Sequence, residues 1–244
     1  MIKWNLYFDK IYCVHFLPHK ERLPLLLKEL KRVGILDSGI FEWRYTIPDK
    51  YDDIIWPIAS RNKWCSRKQY VNLALENHRI LTEARLLELK RILIIEDDIL
   101  FLTDISLIEN ILNNIPNQFG IVQFDKRANF TNGEQEIWLN LIRNKKINQS
   151  FVDSTYNFAN ATAMGYFYSG IDDAFNVLEK RLCTPDRIVK FICKHHAIAI
   201  TSLAVQNLYD NAINLTFDKA EKIHYECYRQ VGVDLSLYGE SYGK

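Results

Sequence analysis

Glycine and proline are scarce in this sequence, at 9 and 6 of 244 residues. Disordered linkers are rich in such residues, so long ones are not expected. Charge of one sign is lacking too. Lys plus Arg is 31 against 30 Asp plus Glu, a formal net charge of +1. That balance gives no general pull toward nucleic acid or acidic lipid. No apolar run is long enough to predict a membrane span. The opening MIKWNLYFDKIYCVHF is not read as a signal peptide, because Asp9 and Lys10 interrupt any apolar core. Cysteine is sparse and odd in number: Cys13, Cys65, Cys183, Cys193 and Cys227, with no CxxC pair. This points to reduced thiols and a cytoplasmic location, with no disulfide framework or zinc site. Peripheral attachment at the inner membrane face stays open. Sequons at Asn129, Asn148, Asn160 and Asn214 read as chance matches in a chain without an export signal.

Apolar residues are plentiful, at 48%, with aromatics at 13%. That supports a single large domain, or one domain with an appended smaller lobe. KIYCVHF reads as a buried strand. Leu23, Leu26, Leu27, Leu30 and Val33 then recur at helical spacing, and Gly34 is a good terminator. IFEWRYTI reads as a second strand. SRKQYVNLALENHRILTEARLLELK reads as a long helix with Ser66 as its cap. RILII and FGIVQF follow as a third and a fourth strand. Strand–helix alternation with fully apolar strands predicts a mixed, mostly parallel sheet with helices on both faces. Beyond it, ATAMGYFYSG reads as a strand and IDDAFNVLEKRL as a helix. TPDRIVKFICKH starts a helix with Thr184 as cap and Pro185 in its first turn, and AIAIT is a short strand. IRNKKINQS reads as an exposed loop. The chain after about residue 206 carries no clear signal.

One stretch demands explanation. ILIIEDDILFL, residues 92–102, sets Glu96, Asp97 and Asp98 side by side at the end of an apolar strand. Like charges repel, and a buried carboxylate without a partner is costly. Ligands of open α/β sheets bind at the carboxyl ends of the strands. In extended geometry Glu96 and Asp98 share one side and Asp97 takes the other. Oxygen ligands of this kind suit a hard divalent cation, Mn²⁺ or Mg²⁺, which can bridge to a diphosphate.

The order of these blocks resembles the lipooligosaccharide galactosyltransferases, glycosyltransferase family 25. The blocks are IYCVHFLPHKERLPLLLKELKRVGI, LALENHRIL with Asn77 before His78, RILIIEDDILF, IVQFD, AMGYFYSGIDDAFNVL, TPDRIVKF and SLAVQNLYD. The likeness spans roughly residues 10–211. Two features depart from the pattern: no glycine-rich entry precedes the His78 helix, and His15-Phe16 stands where Asn-Leu is usual.

The resemblance implies a GT-A (Rossmann-like) fold and a metal-dependent inverting transferase. Residues 1–124 would form the nucleotide-sugar half and 125–211 the acceptor side, with 212–244 an unplaced tail. It implies a UDP-sugar donor, UDP-galactose or a related UDP-hexose, and a surface glycan as acceptor. Asp98 would ligate the metal, and Glu96 would help through water or touch the donor ribose. Asp97, Val14, Arg22 and His78 would lie near the nucleotide. Cations at Arg61, Arg67 and Lys68 could steer a diphosphate. Asp186 would be the base that deprotonates the acceptor hydroxyl, with Asp125 in reserve. Gln206 and Asp210 would shape the acceptor side. His195-His196 reads as structural, since adjacent residues do not share a helix face. Two other readings stay open: a catalytically silent domain that binds nucleotide-sugar or glycan, and a nucleotidyltransferase or phosphatase. The missing phosphate-binding glycine loop ranks the latter last.

Overall fold

The computed structural model describes residues 1–46, 68–125, 132–156, 158, 162–192 and 195–206. Ser66, Arg61, Arg67, Asp210 and the 212–244 tail lie outside the described residues.

The opening strand β1 is Lys10–Phe16, buried along its middle. A short 3-10 turn, Lys20–Arg22, leads into helix α1, Leu23–Arg32, which carries a proline at its start. The helix ends before Gly34, whose φ of +80° suits glycine alone at low cost. Strand β2 is Phe41–Thr46, helix α2 is Lys68–Leu86, and strand β3 is Arg91–Glu96. β1 lies parallel to both strands, with Val14 opposite Arg44 on one side and Glu96 on the other. This is the predicted alternation.

The next elements depart from it. A two-residue turn, Asp97–Asp98, feeds a short strand β4, Ile99–Phe101. Helix α3, Ile105–Asn113, follows, capped by Asp104, whose Oδ1 accepts from the backbone N–H of Ser106 and Leu107. Strand β5 is Ile121–Gln123 and helix α4 is Asn132–Asn144. Strand β6, Phe151–Ser154, grows out of the stretch read as an exposed loop. Strand β7 is Ala163–Phe167, helix α5 is Ser169–Lys180, and helix α6 is Pro185–Ile192. Strands β8, His196–Ala199, and β9, Ala204–Gln206, close the described chain.

Among the described residues, seven strands form one sheet in the order β2-β1-β3-β7-β5-β8-β6, and β4 pairs with β9 apart from it. β7 runs antiparallel between β3 and β5, and β6 runs antiparallel at one edge. The other five strands share a direction, so the sheet is mixed and mostly parallel, as expected. The fourth strand does not pair with the third, because β7 is inserted between them. Its apolar run, buried on both faces, reads the same in either direction, so periodicity alone could not orient it.

Each face of the sheet has its own core. Ile11 and Cys13 of β1 and Leu93 and Ile95 of β3 pack with Leu26, Leu30, Ile108 and Phe101 on the α1/α3 side. Tyr12, Val14, Ile92 and Ile94 pack with Ile80, Leu81, Ile171, Leu178 and Ile188 on the side of α2, α5 and α6. Period-two alternation along the strands sorts these residues, and it continues into the acidic stretch. α5 sits very close to the sheet. A Cβ on Gly170 would lie 1.7 Å from the Gly120 carbonyl oxygen, so only glycine fits at the helix start.

Among the described residues, no helix is long and apolar enough to cross a membrane. Cys13 and Cys183 are buried free thiols.

Candidate active site

β3 ends at Glu96, opposite Val14. Alternation turns Glu96 toward the α6 side and Asp97 toward the α1 side. Asp97 is the best satisfied of the three acids. Its Oδ2 lies 2.7 Å from His15 Nδ1 and accepts from the Phe16 N–H at 2.9 Å. Its Oδ1 accepts from Arg22 Nη1 at 2.6 Å. Burial pushes the Asp97 carboxyl up, but the His15 bond, the Arg22 charge and the Phe16 N–H outweigh it and hold the group below the ordinary Asp range. Asp97 is therefore spoken for by protein partners. Its place in the triplet is to hold His15 and Arg22.

Asp98 is turned elsewhere. Its Oδ2 accepts from Gln206 Nε2 at 3.0 Å and lies 3.6 Å from Arg22 Nη1. The two residues of the Gln206–Asp98 bond are 108 positions apart, brought together by β4 pairing with β9. Gln206, expected on the acceptor side, is thus a direct partner of the metal candidate.

Asp125 follows β5 and is only 1% exposed. Its Oδ1 accepts from the Ala163 N–H at 3.3 Å, while its buried Oδ2 has no hydrogen-bond partner. Burial pushes its pKa up to about 7, against the opposing pull of Ala163 and Thr162, and Asp98 adds to the rise. Glu96 is raised well above the usual Glu value by burial and then by the charges of Asp98, Asp125, Asp97 and Asp186. Glu96 thus lies in the field of its two chain neighbours and of two carboxylates distant in sequence, Asp125 and Asp186. Asp186 stands half-buried in the first turn of α6, where an acid also suits the helix dipole. The phenol of Tyr166, fully buried and without a hydrogen-bond partner, feels Cys183, Asp186 and Glu96.

Donor chemistry here fits a hard divalent cation. Asp98, Asp125 and Asp186 all act electrostatically on Glu96, Asp125 Oδ2 has no hydrogen-bond partner, and Arg22 is already shared with Asp97. Among the described residues, no three His, Cys, Asp or Glu side chains are already arranged to hold a metal ion.

Other expected residues fall apart from this cluster. Val14 is buried in the α2-side core, so its side chain packs against apolar neighbours. His78 bonds Glu179 of α5 and stacks on Phe175, tying two helices together. Lys68 opens α2; its side chain lies outside the described residues. His195 bonds Asp153 at 2.7 Å, and His196 is buried in β8.

Two features were not foreseen. His15 is buried beside Asp97, and its Nε2 has no hydrogen-bond partner. Strand periodicity offered a signal, since His15 shares a face with Cys13 and so with Asp97. Phe41, Trp43 and Tyr45 form a ladder on one face of edge strand β2. Tyr45 stacks on Trp43 at 6.3 Å and is 47% exposed, and His15 meets both rings edge-on. No family model matches the chain, and none of the curated proteins does.

Proposed function

We propose that this protein is a metal-dependent inverting glycosyltransferase that moves a hexose, galactose for choice, from a UDP-sugar to a hydroxyl of a surface glycan. The observation that carries the reading is that Asp98, Asp125 and Asp186 all act on Glu96, with Glu96, Asp98 and Asp125 at or just past the carboxyl ends of parallel strands, Asp186 in the first turn of α6, and Arg22 3.6 Å from Asp98. The resemblance to glycosyltransferase family 25 supports it from the sequence. The cluster fits Mn²⁺ or Mg²⁺ held by Asp98, with Glu96 assisting; when bound, the ion would neutralise charge on the departing diphosphate.

The chain's own groups account for the rest. Arg22 supplies a fork that pairs with phosphate oxygens. The exposed face of Tyr45, backed by Trp43, is a stacking surface for a nucleobase near the same strand ends. Asp186, reachable at the start of α6, takes the proton from the acceptor hydroxyl as its oxygen attacks the anomeric carbon. The hydroxyl enters from the side opposite the leaving diphosphate, so the configuration inverts. A second assignment has its own support: Asp125, with a pKa of about 7 and a free oxygen, is tuned for proton transfer near neutral pH. Cytoplasmic work on a growing glycan, at the inner membrane face or away from it, belongs to the same proposal.

Calorimetry with UDP tests it. Binding should need Mn²⁺ and vanish in excess chelator, and Asp98→Asn should weaken it by at least ~10-fold, as expected for loss of a charged ligand. Equal UDP affinity with ion and with chelator would refute the metal role of Asp98.

A further inference from the structure

We propose that β2 pairs edge to edge with β2 of a second copy of this chain, antiparallel about a two-fold axis, in the register that sets Trp43 opposite the partner's Trp43. The inference stands apart from the transferase reading and needs neither metal nor nucleotide.

β2 ends the sheet, and among the described residues no strand lies on its outer side. The Ile11 N–H donates to the Ile40 carbonyl, and the Leu17 N–H to the Thr46 carbonyl. In a parallel pair the bonding residues alternate, so β1 takes up the backbone groups of Ile40, Glu42, Arg44 and Thr46. Those of Phe41, Trp43 and Tyr45 point outward. An edge of this kind is a template for another strand. Proline and lysine, two common protections of an edge, are missing from FEWRYT, and its register with β1 runs without a bulge. The strand is half-buried from Phe41 to Arg44 and open at Tyr45, although β1 beside it is buried.

Charge selects the register. The outward backbone groups belong to Phe41, Trp43 and Tyr45, so these residues must meet one another across the axis. An axis at Trp43 achieves this and sets Phe41 opposite Tyr45 of the partner subunit. Axes at Glu42 or Arg44 would also do so. They would, however, set Glu42 against the partner's Glu42, or Arg44 against the partner's Arg44, and like charges directly opposite destabilise a strand pair. With the axis at Trp43, Glu42 lies opposite the partner's Arg44, and Arg44 opposite the partner's Glu42. These fall at the positions between bonded pairs, where facing residues come closest. The Glu42 and Arg44 side chains are 33% and 20% exposed, so each can still meet a partner. On the other face of the strand, the pairing joins aromatic residues to aromatic residues.

A single edge strand is a small interface, so the dimer should build up with concentration. Sedimentation equilibrium of the full chain, taken up to several hundred micromolar, reads it directly. Glu42→Arg sets two cations opposite each other, and Arg44→Glu sets two anions. Each variant alone should dimerise roughly tenfold or more weakly than wild type. Mixed together, the two should pair with each other at about the wild-type strength, because every cross-strand contact again joins opposite charges. Glu42→Arg gives up Lys10 as a partner and Arg44→Glu gives up Glu83, so circular dichroism checks that each still folds. Phe41→Pro decides the matter if either does not. It removes one outward N–H and no bond to β1, and should weaken the dimer roughly tenfold. A wild-type chain that stays monomeric overturns the proposal. So does a dimer that the charge variants or Phe41→Pro leave unweakened, since it must use another surface, and so do folded charge variants that fail to pair when mixed.

Discussion

Replacing Asp125 with asparagine should make the fold progressively more stable relative to wild type as pH rises. Asp125 is raised from 3.8 to about 7 in the folded protein, chiefly by burial. Below about pH 4, folded and unfolded chains both hold the proton, and the group contributes nothing. Between about pH 4 and 7 the unfolded chain releases the proton while the folded chain keeps it, so stability falls as pH rises. Above about pH 7 the full cost is present. At about 1.4 kcal/mol per tenfold difference in proton affinity, the upper limit of that cost is about 4 kcal/mol. Asp125→Asn removes the titration. Its amide oxygen can still accept from Ala163, but its NH₂ would occupy the place of the unpartnered Oδ2. An unpaired donor costs ~1–3 kcal/mol, a constant offset at every pH. The diagnostic quantity is therefore the slope. Urea unfolding of wild type and variant in chelator, from pH 4 to 8, should show the variant gaining on wild type by up to about 4 kcal/mol across that range. A difference that stays flat with pH would refute the claim that Asp125 is held in a dry, electronegative site.

Two further predictions test the frame around the site. Gly170→Ala puts a carbon into the Gly120 backbone, so urea melts should show a loss of at least ~3 kcal/mol, while Gly39→Ala tests strain without that clash. Asp97→Ala leaves Arg22 and His15 facing an empty place; breaking such a buried pair costs ~3–5 kcal/mol, and little loss would mean that Asp97 is not the anchor described.

The amount legible in the sequence followed the strength of local signals. β1, α1, β2, α2 and β3 were readable because short apolar or aromatic runs alternate there with apolar residues at helical spacing. Asp104 before ISLIENIL is a local cap signal for α3. β4, β6 and β9 are three or four residues long, too short for a period to show. β7 looked like any buried strand, and nothing local told its direction or that it divides β3 from β5. The acidic cluster was visible because three adjacent charges after an apolar run conflict with simple burial. What each acid does was less visible. Asp97 looked equivalent to its neighbours, yet contacts with His15 and Arg22, 82 and 75 residues away, give it a structural task. Asp186 and Asp125 were found through block order, and the structure brings both near Glu96. His78 matched a block equally well but is engaged by α5. Block order gives a residue's place along the chain but not which way its side chain faces.

The most direct test of a sugar transferase is nucleotide release from its donor. Wild-type protein with Mn²⁺ and a panel of UDP-hexoses, offered glycan acceptors, should release UDP with one donor well above the others, and chelator should abolish it. Asp186→Asn should lower that rate by about 10²–10⁴-fold while leaving calorimetric UDP affinity within about twofold of wild type. Release at the wild-type rate by Asp186→Asn and by Asp125→Asn, or no release with any donor while UDP still binds, would contradict the assignment of this cluster to glycosyl transfer.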